Sequence, residues 1–203
     1  MVLTGNAVVG VEAGKRKLDV ALLVHGKLKT KALAVPPAHG DDLIEWVRKQ
    51  KVAPETVHFC VIEGDPKATS VALALFDAGL HVSFVPAGDI RAFADAERLP
   101  ARADRPGADV VARYCAARQP EAWAAPSRQS RTIDAIREQL AALEGYRATE
   151  MRWAEEFRAR GADSQAEGAL AHVAWLDESI AKFRKSLAEL VELSSDAGHD
   201  TVA

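Results

Sequence analysis

The sequence predicts an α/β fold, in which a mixed sheet with flanking helices is followed by an α-helical hairpin or coiled coil. Two apolar segments, residues 7–11 and 18–24, are joined by a short basic turn, which is typical of a β-hairpin. Residues 57–62 form an unbroken apolar run of strand length, as expected of a central parallel strand. From about residue 133 onwards, apolar residues recur at helical spacing instead.

Length and composition limit which classes of protein this chain can belong to. The chain of 203 residues is 48% hydrophobic, which is enough for one core and an appended helical module. No apolar run approaches the roughly 20 residues that a membrane helix needs, and the N-terminus lacks the pattern of a signal peptide. We therefore expect a soluble cytoplasmic protein with no membrane partner. Cys60 and Cys115 are expected to be buried thiols, and the six histidines show no zinc-ligand spacing.

The charge of the chain is unevenly distributed. The formal net charge is −3, but residues 1–128 carry +2 and residues 129–203 carry −5. This difference predicts two modules, with any polyanion bound by the first. We assign residues 1–125 to the α/β domain, residues 126–195 to a helical arm and residues 196–203 to a disordered tail.

The order of predicted elements narrows the fold. A third strand, residues 27–35, carries Lys27, Lys29 and Lys31 on one face, either to protect a sheet edge or to bind phosphates. The chain then alternates between helices and strands: helix 41–51, strand 57–62, helix 69–78, strand 81–85, short helix 90–96 and helix 108–118. A three-stranded meander followed by right-handed crossovers is the plan of a ribonuclease-H-like domain.

The second module is predicted to contain two long helices. Ile133, Ile136, Leu140 and Leu143 keep a spacing of three and four residues, and Gly161 ends that helix. Ser164 with Glu167 predicts the next helix start, and apolar residues then recur at positions 173, 176, 180, 183, 187 and 190. This seam fits either an antiparallel hairpin or a coiled coil that joins copies or partner helices through residues 129–194.

Three acidic residues are the candidate catalytic and metal-binding groups. Glu12 follows the first strand and Glu63 follows the central strand, so both fall at the carboxyl edge of the predicted sheet. Asp104 lies just before helix 108–118, and Asp109 is a further candidate ligand. Two-metal phosphoryl transfer requires such oxygen ligands around Mg²⁺ or Mn²⁺. The alternative for each acid taken singly is a solvated strand-end or helix-cap residue.

Basic residues are predicted to surround the same edge. A cluster of this kind would hold a nucleic acid largely by its charge, although each member alone would be an ordinary surface residue. The candidates are Lys15, Arg16, Lys17, Arg98, Arg102 and Arg105.

Several separated blocks resemble one protein family. The blocks GVEAGKRKLDVALL, VIEGD, ALALFDAGLHVSFVPAGDIRAFADAE and RADRPGADVVARYCAARQPEAW are similar, in order and spacing, to the N-terminal half of the DEDD transposases of the IS-one-ten insertion-sequence family. The resemblance covers about residues 5–125, and the helical arm corresponds in position and character. It implies a RuvC-like domain, a coiled coil, and DNA and a structured guide RNA as partners.

The family's site residues carry over unevenly. The resemblance places the first family aspartate on Glu12, the glutamate on Glu63, the third acid on Asp104 and the fourth aspartate on Gly107. The chain also ends where the family's serine domain would begin. These departures imply an eroded two-metal site, with Mg²⁺ or Mn²⁺ as the cofactor if it still functions.

Two functions follow from the resemblance. The first is a transposase-family protein of DNA transposition and recombination, which binds nucleic acid and is weak or inactive as an enzyme alone. The alternative is a non-catalytic regulator that binds RNA, DNA or a full-length transposase. A decayed reading frame whose product merely folds is a third interpretation.

Overall fold

The computed structural model describes residues 7–14, 16–34, 40–99 and 107–199. Within these residues the protein is an α/β structure with a five-stranded mixed sheet and six α-helices, which confirms the predicted α/β class. The chain divides into two compact units, Met1–Ala125 and Pro126–Ala203. The sheet and the first four helices belong to the first unit, and two long helices form the second.

The sheet combines antiparallel and parallel pairing. Its strands, in the spatial order β3-β2-β1-β4-β5, are β1 (Ala7–Ala13), β2 (Lys17–Val24), β3 (Lys27–Ala34), β4 (Val57–Ile62) and β5 (His81–Val85). Strands β1, β2 and β3 pair antiparallel, whereas β4 runs parallel to both β1 and β5. All six residues of β4 are buried, because helices cover both faces of the sheet centre.

Four helices pack around this sheet: α1 (Asp41–Lys49), α2 (Pro66–Asp77), α3 (Ala87–Ala96) and α4 (Ala108–Arg118), with a 3₁₀ turn at Pro54–Thr56. Helix α2 begins three residues earlier than predicted. Pro66 occupies its first turn, and the side chain of Asp65 accepts a hydrogen bond from the backbone N–H of Lys67 at 2.9 Å. Helix α3 also begins earlier, at Ala87, directly after Pro86.

The two faces of the sheet have different cores. Val9 and Val11 of β1 belong to the cluster that includes residues of α1 and α2. Val8 belongs instead to a cluster with Val111 of α4, and Gly10 lies on the same side because strand residues alternate. A Cβ atom at Gly10 would lie 2.4 Å from the backbone nitrogen of Ala112. Only glycine therefore allows α4 to approach β1 so closely.

The second unit consists of α5 (Arg128–Ala159) and α6 (Asp163–His199). The helices are antiparallel, since Gln129 bonds to Leu190 while Arg184 pairs with Glu144 and His172 with Glu150. Residues at the predicted seam, including Ile133, Leu140, Val173, Leu176 and Ile180, are buried. Helix α6 continues to His199, past residue 196 where the sequence predicts a disordered tail, and residues 200–203 lie outside the described residues.

Neither these helices nor the others in the described part of the chain combine the length and apolar character that a membrane-spanning segment requires.

Candidate functional site

Glu12 lies near the end of β1, on the face of the sheet that α4 covers. It is half-buried, two residues beyond Gly10 and therefore on the same side of the strand. Its partner across the antiparallel pair is Asp19 of β2, so two carboxylates stand side by side on this face, with Cβ atoms about 5 Å apart. Lys17 donates a hydrogen bond to Asp19 Oδ1 at 3.0 Å, which offsets part of this negative charge.

Glu63 lies at the same edge of the sheet, directly after β4, and is exposed. Its backbone N–H donates to the carbonyl of Val85 at 2.9 Å, which keeps it aligned with β5. The register sets Val11 beside Val61, so Glu63 lies one residue further along its strand than Glu12 does. The structure therefore brings both predicted acids to adjacent strand ends, offset by one residue.

The turn after Glu63 is held against the β1–β2 connection. Gly64 adopts a φ of +113°, which is strained for residues with a side chain, and it turns the chain into α2. Lys67, in the first turn of α2, donates a hydrogen bond from Nζ to the carbonyl oxygen of Gly14 at 3.4 Å. Lys67 is not among the site residues predicted from the sequence. Its place in the first turn after Pro66, close behind Glu63, is the signal that could have found it.

The start of α4 supplies the remaining described acid. Gly107 is the N-cap of α4, and its carbonyl accepts hydrogen bonds from Val110 and Val111. Asp109 is half-buried in the first turn, where a negative charge interacts favourably with the helix dipole. Four predicted site residues, Lys15, Arg102, Asp104 and Arg105, lie outside the described residues.

The described acids can be compared with the needs of a metal site. Mg²⁺ requires several oxygen ligands in nearly octahedral geometry. Within the ranges that the structure describes, no group of three or more His, Cys, Asp or Glu side chains could hold a metal ion. Glu12, Glu63 and Asp109 thus do not make up a two-metal site by themselves.

The described basic candidates are all exposed. Arg16 and Lys17 lie at the β1–β2 turn, next to the strand end that carries Glu12. Arg98 lies beyond the C-terminal end of α3, separated from the end of β5 by a helix about 15 Å long. Arg16 and Lys17 therefore lie beside the edge of the sheet that carries Glu12 and Glu63. Arg98 is separated from the end of β5 by the length of α3.

A buried polar cluster lies at the opposite edge, at the amino ends of β4 and β5. The imidazole rings of His58 and His81 stack with centroids 3.9 Å apart, and Nε2 of His58 lies 2.7 Å from Oγ of Ser83. Ser83 Oγ also lies 2.6 Å from the carbonyl of Glu121. Because the hydroxyl has one proton to donate to that carbonyl, His58 carries its proton on Nε2 and donates it to Ser83.

The environment of this cluster keeps both imidazoles neutral. Burial, with a smaller contribution from His81, lowers the pKa of His58 to about 4. Burial also lowers the pKa of His81, whose Nδ1 has no hydrogen-bond partner among the described atoms. With Ser83 only 1% exposed, the cluster holds the segment after α4 against β5 and does not present a nucleophile.

The sequence does not predict this cluster, because its histidines show no ligand spacing within any single segment. His58 and His81 are far apart in sequence and become neighbours only through the β4–β5 register. A histidine within the first two residues of each neighbouring strand, VHFCVI and HVSFV, is the signal that could have suggested their contact.

No protein-family model matches this chain, and no curated protein matches it significantly.

Proposed function

We propose that this protein belongs to the lineage of DNA transposition and recombination enzymes, and that its first unit is a ribonuclease-H-like (RuvC-like) domain that binds nucleic acid. The observation that carries the proposal is the placement of Glu12 and Glu63 at the carboxyl ends of the adjacent parallel strands β1 and β4. In open α/β sheets this edge is where functional groups gather.

The sheet topology supports the fold part of this proposal. The spatial order β3-β2-β1-β4-β5, with an antiparallel meander on one side and parallel strands on the other, matches the plan expected of ribonuclease-H-like domains. Helix α4 packs across β1 at Gly10, so its first turn approaches the strand that carries Glu12. This is where the family resemblance puts the later acids.

We propose DNA and a structured guide RNA as the ligands of this unit. Arg16 and Lys17 are exposed beside the Glu12 strand end, and Lys67 bridges to the same turn through Gly14. Positive groups at one edge attract phosphates over a distance of about 8 Å at physiological salt. Binding should therefore weaken as the salt concentration rises.

Catalysis by this unit alone is proposed to be weak or absent. Gly107 supplies no carboxylate at the fourth acidic position that the resemblance implies. Glu12 carries an arm longer than aspartate by one carbon–carbon bond, roughly 1.5 Å, and a displacement of about 1 Å can cost ~100-fold in rate. Mg²⁺ or Mn²⁺ would be the cofactor of any residual activity.

The alternative function is a non-catalytic regulator that binds RNA, DNA or a full-length transposase. Gly107 favours this alternative. It supplies no carboxylate, so the acids that remain do not complete the catalytic centre that the resemblance implies. We further propose that the arm of residues 129–194, a coiled coil, joins copies or partner helices. The site of action is proposed to be the cytoplasm, where the buried thiols Cys60 and Cys115 stay reduced.

Binding and cleavage can be tested separately. Fluorescence anisotropy with structured RNA, single-stranded DNA and duplex DNA measures binding, and a Mn²⁺-dependent nicking assay measures cleavage. Glu63→Gln should abolish any genuine cleavage, while the matched variant Glu55→Gln, exposed near the start of β4, should not. Cleavage that persists in Glu63→Gln would identify a contaminating nuclease.

A further inference from the structure

Strand β3, at one edge of the sheet, carries a row of exposed lysines: Lys27, Lys29 and Lys31. Lys29 and Lys31 pair with Leu22 and Val20 of β2, and directly opposed residues of an antiparallel pair lie on the same face of a sheet. Leu22 and Val20 belong to the core that residues of α1 share. The lysine row therefore lies on the face of the sheet that α1 covers.

Helix α1 adds two further cations to this row. Nζ of Lys29 donates a hydrogen bond to Oε1 of Gln50, the C-cap of α1, at 3.0 Å. The C-terminal end of α1 thus lies beside the start of β3. Arg48 and Lys51 are exposed and lie within two residues of Gln50. Together these side chains form a single surface, the β3–α1 basic surface, made of Lys27, Lys29, Lys31, Arg48 and Lys51.

The acids of the same segments neutralise little of this surface. Residues 25–34 and 40–56 contain six Lys or Arg and four Asp or Glu side chains. Glu45 pairs with Lys49, the sixth cation, at 2.6 Å. Lys49 also makes the main contribution to lowering the pKa of Glu45, and Lys31 makes a smaller one. The charge of Glu45 is therefore offset chiefly by a lysine outside the basic surface.

The other three acids lie towards different parts of the domain. Asp41 and Asp42 are in the first turn of α1, at least about 9 Å along the helix from Arg48, which exceeds the screening length at physiological salt. Glu55 lies just before β4, and β4 is three strands away from β3. The basic surface consequently keeps a net positive charge.

Protection of the sheet edge explains only part of this surface. Lysines on an edge strand discourage pairing with another sheet, which accounts for the row on β3. Arg48 and Lys51 are not on that strand. Lys51 adopts a φ of +61°, in the left-handed region that glycine prefers at the end of a helix. Glycine would fit this backbone better, so the turn itself does not require a lysine.

We propose that the β3–α1 basic surface binds the phosphate backbone of a double-helical nucleic acid. The proposal rests on the nucleic-acid binding proposed above, and it names a second contact surface and the form of the ligand. Cations that contact phosphates position a nucleic acid without reading its bases. Binding through this surface should therefore be independent of sequence and should weaken steeply as the salt concentration rises.

The side chains around the surface favour a duplex over two other polyanions. Single strands are held by aromatic side chains that stack on unpaired bases. In residues 25–34 and 40–56 the one Phe, Trp or Tyr side chain, Trp46, is only 6% exposed. A lipid surface is bound by exposed large apolar side chains beside the basic ones, and these described residues expose none.

The register of β3 connects this surface to the basic residues beside Glu12. Ala34, the last residue of β3, pairs with Lys17 of β2. The distance along the strand from Lys27 to Ala34 is about 24 Å, which corresponds to about seven base pairs of a duplex. A duplex that lies along β3 can therefore contact the β3–α1 basic surface at one end and Arg16 and Lys17 at the other.

The test is fluorescence anisotropy of the full chain with a labelled DNA duplex and a labelled RNA hairpin, between about 50 and about 200 mM salt. The variant combines Lys27→Gln, Arg48→Gln and Lys51→Gly, three positions with no ion-pair partner among the described residues. Its Kd for either probe should be at least ~10-fold higher than that of the wild type at physiological salt, and the slope of log Kd against log salt should be smaller by about 2 to 3.

Two controls separate lost contacts from other effects. Arg158→Gln, Lys182→Gln and Lys185→Gln remove the same charge from exposed positions of the second unit and should leave the slope unchanged. Lys51→Gly alone should maintain or raise the urea midpoint, because glycine adopts a positive φ without strain, yet it should still weaken binding. Weaker binding by a variant that is at least as stable cannot be attributed to unfolding.

The outcomes distinguish this surface from the wider proposal of nucleic-acid binding. A wild type that binds neither probe would overturn both, as would binding only to vesicles of phosphatidylcholine and phosphatidylserine. Binding that the triple variant leaves unchanged, or that the second-unit control weakens equally, would overturn the β3–α1 basic surface while nucleic-acid binding stands. Tighter binding to a single strand than to the matching duplex would overturn the proposed form of the ligand.

Discussion

Gly10 and Ala108 are in direct contact: a Cβ atom added at Gly10 would lie 2.2 Å from the carbonyl oxygen of Ala108. The contact joins the middle of β1 to the first turn of α4, two residues before Glu12. The nearest atoms of α4 belong to its backbone, so moving a side chain cannot make room for a larger residue at position 10. Helix α4 can therefore pack close to the candidate site only because residue 10 has no side chain.

Replacing Gly10 by Ala should destabilise the first unit. We expect a loss of about 3 kcal/mol in the free energy of unfolding, because overpacking against backbone forces α4 away from the sheet. Urea denaturation followed by circular dichroism measures this. Gly88→Ala, in α3, is the matched control: its Cβ would meet nothing within 4 Å, so stability should be unchanged or rise by up to about 1 kcal/mol. Equal effects of the two substitutions would contradict the close packing.

Acidification should destabilise the protein through the two stacked histidines. The folded state lowers the pKa of His58 from 6.5 to about 4, and it lowers that of His81 too. The unfolded chain then binds more protons, so stability is greatest above about pH 6.5 and falls as the pH drops toward about 4. The urea midpoint of His58→Gln should depend less on pH across this window. Identical pH profiles would show that His58 does not titrate as described.

Ser83→Ala should release the segment that follows α4. The substitution leaves the Nε2–H of His58 and the carbonyl of Glu121 without their shared partner, which should cost about 2 kcal/mol. Trp123 also donates from its backbone to the carbonyl of Val82 at 2.7 Å, so the segment should loosen rather than detach. Amide hydrogen exchange at residues 119–123 should accelerate, while exchange in β1 stays slow. Unchanged exchange there would rule out the tether.

Leu176→Ala should destabilise the second unit selectively. Leu176 is 1% exposed at the α5–α6 seam, and truncating such a side chain leaves a cavity that costs about 3 kcal/mol. Hydrogen exchange should accelerate in α5 and α6. Val191→Ala, at an exposed position of the same helix, should have little effect. The seam assignment would be wrong if the two variants were equally stable.

The sequence predicts most readily the elements whose apolar pattern is unambiguous. β4 could be predicted because VHFCVI is buried on both faces, and the α5–α6 seam because its spacing repeats over many turns. The role of Gly10 could not be predicted, because a glycine in a strand does not show which helix will pack against it. The His58–Ser83 contact likewise depends on register between two strands, which no single segment encodes.

The candidate site was predicted in part for the same reason. Glu12 and Glu63 follow apolar strands, so their common edge could be expected, whereas their one-residue offset and the Asp19 neighbour come from strand register. Asp104 lies outside the described residues, and its role as the third acid stays a prediction. Lys67 could not be predicted, because its contact with the Gly14 carbonyl joins two segments that are far apart in the sequence.

The most direct test of nucleic-acid binding is a pull-down of the tagged full chain from its own cells, followed by sequencing of the copurified nucleic acid. We expect enrichment of one structured RNA that flanks a mobile element. We also expect loss of that enrichment when Arg16 and Lys17, exposed beside the Glu12 strand end, are both changed to Glu. Nucleic acid at background level, or enrichment that the double charge reversal leaves unchanged, would contradict the proposed binding edge.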